Sequence, residues 1–454
     1  MEDIRIDTNR PIGPMRPLHG VNGSPVSFGG LVDSTAFYRK AGFPFIRLHD
    51  TNWPHPREVD IPQIFPDFSA DPLDPASYDF RRTDALLDHC QATGAQLIYR
   101  LGVSIEHTPK KYFVDPPSDF EKWALVCLQI VRHVNEGWAD GHRRGILHWE
   151  LWNEPDNQFF EADRAKDPMW SGTPEQYFDL YAIASRKLKE AYPALQVGGY
   201  AASRVDGRYA PFLAGFLARV VRESLPLDFF SWHRYAAEPQ VVLHDSALVR
   251  RLLDAHGLVH TRSICDEWNY CPEGEKPDPR PFAGESDAAA RSGRFSASSS
   301  HKGASFCAAT LIGLHDAACD TAAYYDASPT NYYCTLFDRY GYPQKPYYAF
   351  VMYQELKDRG ARLAASPSGG GLYALASGNP DRGGILVTAW EGPRDVHLHL
   401  SGLDVGARYR FQTHLTDGTH CHTLVEENAG KPPVDGLKIH LEEKATLLLT
   451  WDLE

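Results

Sequence analysis

From His19 to about Gly360 the chain alternates short apolar runs with longer segments whose apolar residues recur at helical spacing. The strand-like runs are His19–Asn22, Phe45–His49, Gln96–Leu101, Ile146–Asn153, Gln196–Gly199, Leu227–His233, Arg262–Glu267 and Thr321–Asp326. Helical patterns fall between them. Ser34–Ala41 is stopped by Gly42, Arg81–Thr93 by Gly94, and Asp119–Glu136 follows. A fourth helix starts at the Thr173 N-cap with Pro174 in its first turn. Others are expected near Ala210–Glu223, Ser246–Ala255, Ala304–Ala317 and Pro346–Leu356. Eight strands each followed by a helix predict an α/β chain with a (β/α)8 TIM barrel over 19–360. A doubly wound open sheet is the alternative, but it calls for a glycine-rich first turn, and Gly20-Val21-Asn22-Gly23 is not GxGxxG.

After Gly360 the period changes. Pro367-Ser368-Gly369-Gly370-Gly371 marks a boundary, and strand patterns follow without helices between them. They are Leu372–Ala376, Gly384–Trp390, Val396–Leu400, Tyr409–Thr413, Leu437–Leu441 and Ala445–Trp451. This predicts a C-terminal β-sandwich domain over 361–454. Residues 1–18 are expected to pair into it through Ile4-Arg5-Ile6. Two long segments, Asp50–Phe80 and the partly Ser-rich Tyr270–Lys302, leave the carboxyl ends of strands two and seven. Active sites of such barrels lie at that end, so both are candidate walls of a cleft, with surface insertion as the alternative.

Two glutamates close such strands. Glu154 ends His148-Trp149-Glu150-Leu151-Trp152-Asn153-Glu154-Pro155, and Glu267 lies in Ser263-Ile264-Cys265-Asp266-Glu267-Trp268-Asn269. Two carboxylates at the same end of two parallel strands suit double-displacement glycoside cleavage, in which carboxyls about 5 Å apart serve as acid and nucleophile. Glu154 is the expected acid/base, with a raised pKa, and Glu267 the nucleophile, kept ionised. Cys265, two residues before Glu267, is expected on the same side of its strand, as a buried neutral thiol.

Composition narrows the partners. The net charge of −13, spread along 454 residues, disfavours nucleic acid and anionic membranes. No apolar run is long enough to span a bilayer, and no secretory leader is visible at Met1-Glu2-Asp3-Ile4-Arg5-Ile6. A cytoplasmic enzyme is expected, although a mature secreted form reads the same. The eight cysteines are scattered with no CxxC pair, and the 20 histidines form no HExxH, so neither a metal nor another cofactor is called for.

The chain resembles the retaining glycosidase clan of (β/α)8 fold, whose acid/base and nucleophile end strands four and seven. Within it the chain is most similar to glycoside hydrolase family 39, the family of β-xylosidases and α-L-iduronidases. The motifs are Phe45-Ile46-Arg47-Leu48-His49, Glu150-Leu151-Trp152-Asn153-Glu154-Pro155, Phe229-Phe230-Ser231-Trp232-His233-Arg234-Tyr235, Asp266-Glu267-Trp268-Asn269 and Leu336-Phe337-Asp338-Arg339-Tyr340-Gly341-Tyr342-Pro343-Gln344-Lys345-Pro346. The resemblance implies that Asn153 binds the sugar 2-hydroxyl and Tyr235 donates to Glu267. It implies that Arg47 holds Glu267 ionised, and that His49 and His233 line the terminal-sugar subsite. Tyr325 would be an aromatic platform, where the family often has Trp. Trp268, Trp53 and Trp170 are further candidates for sugar contact. Asp266 stands where many relatives have Thr or Ser, and the sequence assigns it no role.

The expected function is a retaining, exo-acting hydrolase of β-D-xylosides or related β-D-glycosides or α-L-arabinosides, its partner an oligosaccharide or glycoside substrate. The alternatives are an endo-acting glycosidase on a polysaccharide and a non-catalytic carbohydrate-binding barrel. A metalloenzyme on the same barrel lacks a ligand motif. An oligomer stays open.

Overall fold

The computed structural model describes residues 2–27, 30–51, 57–105, 112–158, 169–272, 288–329, 333, 335–365, 370–433 and 435–454. Eight parallel strands close into a barrel. They are β1 (Gly20–Asn22), β2 (Phe45–Leu48), β3 (Gln96–Leu101), β4 (His148–Leu151), β5 (Gln196–Ala202), β6 (Phe229–Ala236), β7 (Arg262–Tyr270) and β8 (Thr321–Tyr324). The ring closes where Ala323 and Tyr324 of β8 pair with Gly20 and Val21 of β1. β5 lies close against β6: a Cβ on Gly198 would stand 2.2 Å from the Phe229 carbonyl oxygen, so only glycine fits there.

The helices begin and end where local chemistry directs. Thr173 and Gln176 form a reciprocal capping box at the start of Pro174–Ala191. Asp119 caps Phe120–Asn135 by accepting from the Lys122 N–H, and Gly42, in the left-handed region, ends Thr35–Ala41. Their apolar faces and the outward faces of the strands make one large core. Inside the barrel, Phe45, Ile98, Phe229 and Ile264 form a separate apolar layer.

β7 is irregular. Cys265 pairs with Trp232 but Glu267 pairs with His233, so Asp266 is an extra residue in a bulge. Cys265 therefore packs outward in the large core, correcting the expectation that it shares a side with Glu267. The bulge lets Asp266 and Glu267 both reach inward-facing groups.

The C-terminal region is two sheets. One joins Glu2–Asp7, Arg394–Ser401 and Leu437–Leu441; the N-terminal strand runs parallel to its neighbour with Ile4 opposite Leu398. The other has seven strands in the order Thr423–Gly430, Tyr409–Thr416, Thr446–Leu453, Arg382–Ala389, Leu372–Gly378, Arg362–Leu363 and Pro11–Gly13. Alternation divides this sheet between two cores. Leu372, Ala374, Leu447 and Leu449 face the sandwich interior, while Tyr373, Leu375, Leu386 and Leu448 join the barrel's core. Gln240 reaches across to donate to the Tyr373 hydroxyl at 2.8 Å. Thr423–Gly430 was not anticipated, because exposure along nearly its whole length leaves no apolar period to read.

The Ser-rich stretch is helical rather than loop: Ala288–Ser298 and His301–Leu314 are helices, the second capped by Ser300. Among the described residues no helix is long and apolar enough to cross a membrane.

Candidate active site

The carboxyl ends of the barrel strands carry unusual backbone. Asp50 after β2, Trp152 and Glu154 after β4, and Ala201 near the end of β5 have φ of 48°, 75°, 46° and 56°. Non-glycine residues seldom occupy this region, and such strain collects at functional sites. Gly102 makes room for one of them: a Cβ there would sit 3.0 Å from the Trp152 ring. The Glu154 N–H is tied to the Ala201 carbonyl at 3.0 Å, which fixes the turn that turns Glu154 inward.

Glu154 and Glu267 face one another around His233. An oxygen of each carboxylate and a ring nitrogen of His233 all lie within 4.8 Å of one another. His233 Nδ1 is 2.9 Å from Glu154 Oε1 and 3.4 Å from Glu267 Oε2, and its Nε2 is 3.4 Å from Asp266 Oδ1. Burial alone would lower its pKa, but Glu267, Asp266 and Glu154 together raise it to about 10. His233 is therefore an imidazolium at neutral pH. Three ligand-type side chains at this spacing also resemble a metal site.

Arg47 is the second cation. Its Nη1 donates to Glu267 Oε1 at 2.8 Å, its Nη2 to Asn153 Oδ1 at 2.7 Å, and its Nε lies 3.0 Å from Asp266 Oδ2. Glu150 Oε2 is 2.7 Å away. Burial opposes the charge of Arg47, but Asp266, Glu150 and Glu267 hold it firmly protonated. Burial also pushes Glu150 far above the carboxylate range, with the Asp266 charge adding to the rise. Asp266 resists the same burial: Arg47, Glu150 and His233 bring it down to about 2. Burial thus favours a proton on Glu150, while Arg47 favours the charge on Asp266. Tyr235 completes the setting of Glu267, donating its hydroxyl to Oε2 at 2.8 Å.

Above this layer opens a small pocket. Glu154, Glu267 and Asn153 form one part of its wall; His49, Asp50, Ile105, Tyr325 and Tyr333 form the rest. Arg47 fixes the Asn153 amide by taking its oxygen, which leaves the NH2 group as the donor toward a ligand. Tyr325 donates to Asp50 Oδ2 at 2.6 Å.

Arg47, His233 and Tyr235 lie outside the lining of this pocket. His233 was expected to line the sugar subsite; it sits fully buried beneath the two glutamates and holds them instead. Trp268 is likewise a correction. It is fully buried and packs on Phe306, Tyr324 and Phe350, because the residue after inward-facing Glu267 points out of the barrel. Trp170 packs edge-on against Trp152 and Tyr177 in the core. Trp53 lies outside the described residues. Sequence reading missed Asp50, Glu150 and Tyr333. A carboxylate in the middle of a buried strand was the available signal for Glu150.

Residues 40–250 match the sequence profile of the glycosyl hydrolases family 39. The match takes in a little under half of the chain. A β-xylosidase of Caldicellulosiruptor saccharolyticus is 28% identical over 172 residues, 36% of this chain and 32% of that one. A β-xylosidase of Geobacillus stearothermophilus is 33% identical over 125 residues, 28% of this chain and 22% of that one. The chain thus matches a third or less of the length of these curated family relatives. Two solved structures share the fold along essentially the whole chain. A glucosidase from Croceicoccus marinus has a TM-score of 0.80 at 24% identity, covering 100% of this chain and 99% of that one. A monomeric β-xylosidase from Caulobacter crescentus has a TM-score of 0.73 at 16% identity, with the same coverage. The family 39 match takes in β2 to β6 and so includes Arg47, Asn153, Glu154, His233 and Tyr235, while Glu267 lies beyond it.

Proposed function

We propose that this protein is a retaining glycoside hydrolase that removes the terminal sugar of β-D-xylosides or closely related glycosides. The observation that carries the reading is the spacing of the two carboxylates, with oxygens of Glu154 and Glu267 within 4.8 Å of each other. Such close approach suits a double displacement, with carboxyls roughly 5 Å apart, better than the wider gap an inverting enzyme keeps for water.

In the first step Glu267 attacks the anomeric carbon while Glu154 gives its proton to the glycosidic oxygen; the bond to the leaving group breaks and a glycosyl ester forms on Glu267. In the second step Glu154, now a carboxylate, takes a proton from water as the water oxygen attacks the same carbon, and Glu267 departs. Arg47 and Tyr235 suit Glu267 to this, since each stabilises its charge from a fixed direction. The imidazolium of His233 stabilises Glu154 after it has lost its proton. The two β-xylosidases among the relatives support the sugar.

The test is hydrolysis of a nitrophenyl glycoside panel by wild type, Glu267→Ala and Glu154→Ala. The panel holds β-D-xyloside, β-D-glucoside, β-D-galactoside, α-L-arabinosides and an α-L-iduronide. Wild type is expected to turn over the β-D-xyloside or a near relative, and Glu267→Ala none. Glu154→Ala should lose most on poor leaving groups, which need the proton, by roughly 100-fold or more relative to good ones. Residual turnover in folded Glu267→Ala would remove it as nucleophile.

A further inference from the structure

We propose that Asp50 is a substrate-binding residue of this pocket, accepting hydrogen bonds from hydroxyls of the sugar held over Glu267 and turning away sugars that carry a carboxylate. The inference deepens the glycosidase reading and rests on it.

Asp50 is expensive to keep where it is. It is 1% exposed, its backbone is in the left-handed region at φ 48°, and it lines the same small pocket as Glu154 and Glu267. Each of these costs stability: burial of a carboxylate, strain, and like-charge repulsion. Burial and the charge of Glu267 raise its pKa to about 7, against the opposing hydrogen bonds from Tyr325 and Ile105. A glycine would relieve all three costs.

A purely structural role accounts for part of this geometry. Asp50 Oδ1 accepts the Ile105 N–H at 2.9 Å and so holds the segment after β3, and Oδ2 accepts from Tyr325. A neutral asparagine would hold Ile105 equally well. A carboxylate has about four acceptor positions, and these two bonds use two of them. Asp50 lines a pocket whose other polar walls include Asn153, the two glutamates and His49, with Nε2 3.4 Å from Asp50 Oδ2. An acceptor-rich wall beside a tyrosine ring suits a polyhydroxylated, uncharged ring.

Charge sets the exclusion. Three carboxylates line the pocket, and its described lining contains no lysine or arginine. The nearest guanidinium, Arg47, is already shared among Glu150, Asp266 and Glu267. A uronic acid would bring a further negative charge against a described lining that offers it no lysine or arginine. The geometry therefore points to neutral pentosides or hexosides and away from uronides.

Asp50→Asn tests this, because it keeps an acceptor for Ile105 and changes only charge and donor pattern. Its kcat and KM are measured on the best neutral glycoside of the panel, on the monodeoxy versions of that glycoside, and on the matching uronide. The variant is expected to lose roughly 10- to 100-fold in kcat/KM on the parent glycoside, the worth of one or two hydrogen bonds to a charged group. On the deoxy sugar lacking the contacted hydroxyl, the loss should shrink to about twofold or less. The uronide should gain on the parent by about tenfold or more. Tyr325→Phe, which removes the hydroxyl that orients Asp50, is expected to lose less and on the same hydroxyl. An equal loss on the parent and on every deoxy sugar, with unchanged uronide discrimination, leaves Asp50 structural and overturns the proposal alone. A wild type silent on every glycoside overturns the glycosidase reading, and this one with it.

Discussion

Two neighbouring layers inside the barrel are held by opposite means. Phe45, Ile98, Phe229 and Ile264 make a closed apolar cluster. Two residues further along the same four strands stand Arg47, Arg100, Ser231 and Asp266, all fully buried. A step of two keeps the side chain on the same face, so one strand pattern delivers both layers. The apolar layer is stabilised by removal from water, roughly in proportion to area, and each side chain contributes nearly on its own. The charged layer has no such additivity. Arg47 is tolerable there because Asp266 and Glu267 sit against it, and Asp266 is held low because Arg47 and His233 are charged. Removing one member strands the rest.

The largest expected effect tests that claim. Arg47→Met leaves Asp266 and Glu267 without their main cation and unfixes Asn153. It should cost about 3–5 kcal/mol of stability, as breaking a buried ion pair does. Turnover should fall roughly 100-fold or more, because Glu267 loses the charged donor that holds it in place. Urea unfolding and glycoside hydrolysis report the two losses. A variant that keeps wild-type stability would mean that the carboxylates simply take up protons, and the layer would be less interdependent than its geometry implies.

Phe229→Ala makes the complementary cut one layer below. A phenylalanine truncated in a packed core costs about 3–5 kcal/mol, so the stability loss should rival that of Arg47→Met. Turnover per folded molecule, counted by active-site titration, should stay within about twofold of wild type, because the cavity lies below the ionic contacts. Equal damage to turnover would show that the two layers act as one body.

The difference between the layers is also the difference between what could and could not be read along the chain. The strands were legible because their outward residues are apolar and recur. Glu154 and Glu267 were legible because each ends such a run in a distinctive local motif. What failed was whatever depends on a partner far away in sequence. Glu150 and Asp266 acquire meaning only when Arg47 stands between them, 103 and 219 positions away along the chain. The bulge at Asp266 shifts the alternation of β7, which sent the inference about Cys265 to the wrong side. Trp268 is a simpler case: alternation from Glu267 already points it outward, and an indole that can stack on a sugar serves equally well in a core. Asp50 carried no local sign at all, since its weight comes from Tyr325, just after β8, and Glu267 on β7. The ends of elements were the least legible, as β6 and β7 run three residues further than their apolar patterns do.

The smallest expected effect concerns the rim of the charged layer and reverses the usual sign. A carboxylate whose folded pKa lies below its unfolded value stabilises the fold as pH rises; Asp50 is the opposite case. Its pKa moves up from 3.8 to about 7 on folding. Between those values the folded chain binds a proton that the unfolded chain does not, so stability falls as pH rises through this window, and the whole penalty is present above about pH 7. Asp50→Asn removes the titrating group. Relative to wild type it should therefore gain stability on going from about pH 5 to about pH 8, by an amount on the order of 1–4 kcal/mol. The comparison between the two pH values cancels whatever the substitution does to packing, since that part does not titrate. Urea unfolding of both proteins at the two pH values measures it. A gain in stability together with the loss of turnover predicted above would identify Asp50 as a residue retained at the expense of the fold, as polar groups in binding sites often are. A difference that is the same at both pH values would mean that Asp50 stays ionised throughout, and the charged layer would then extend one residue further up the barrel than its other members indicate.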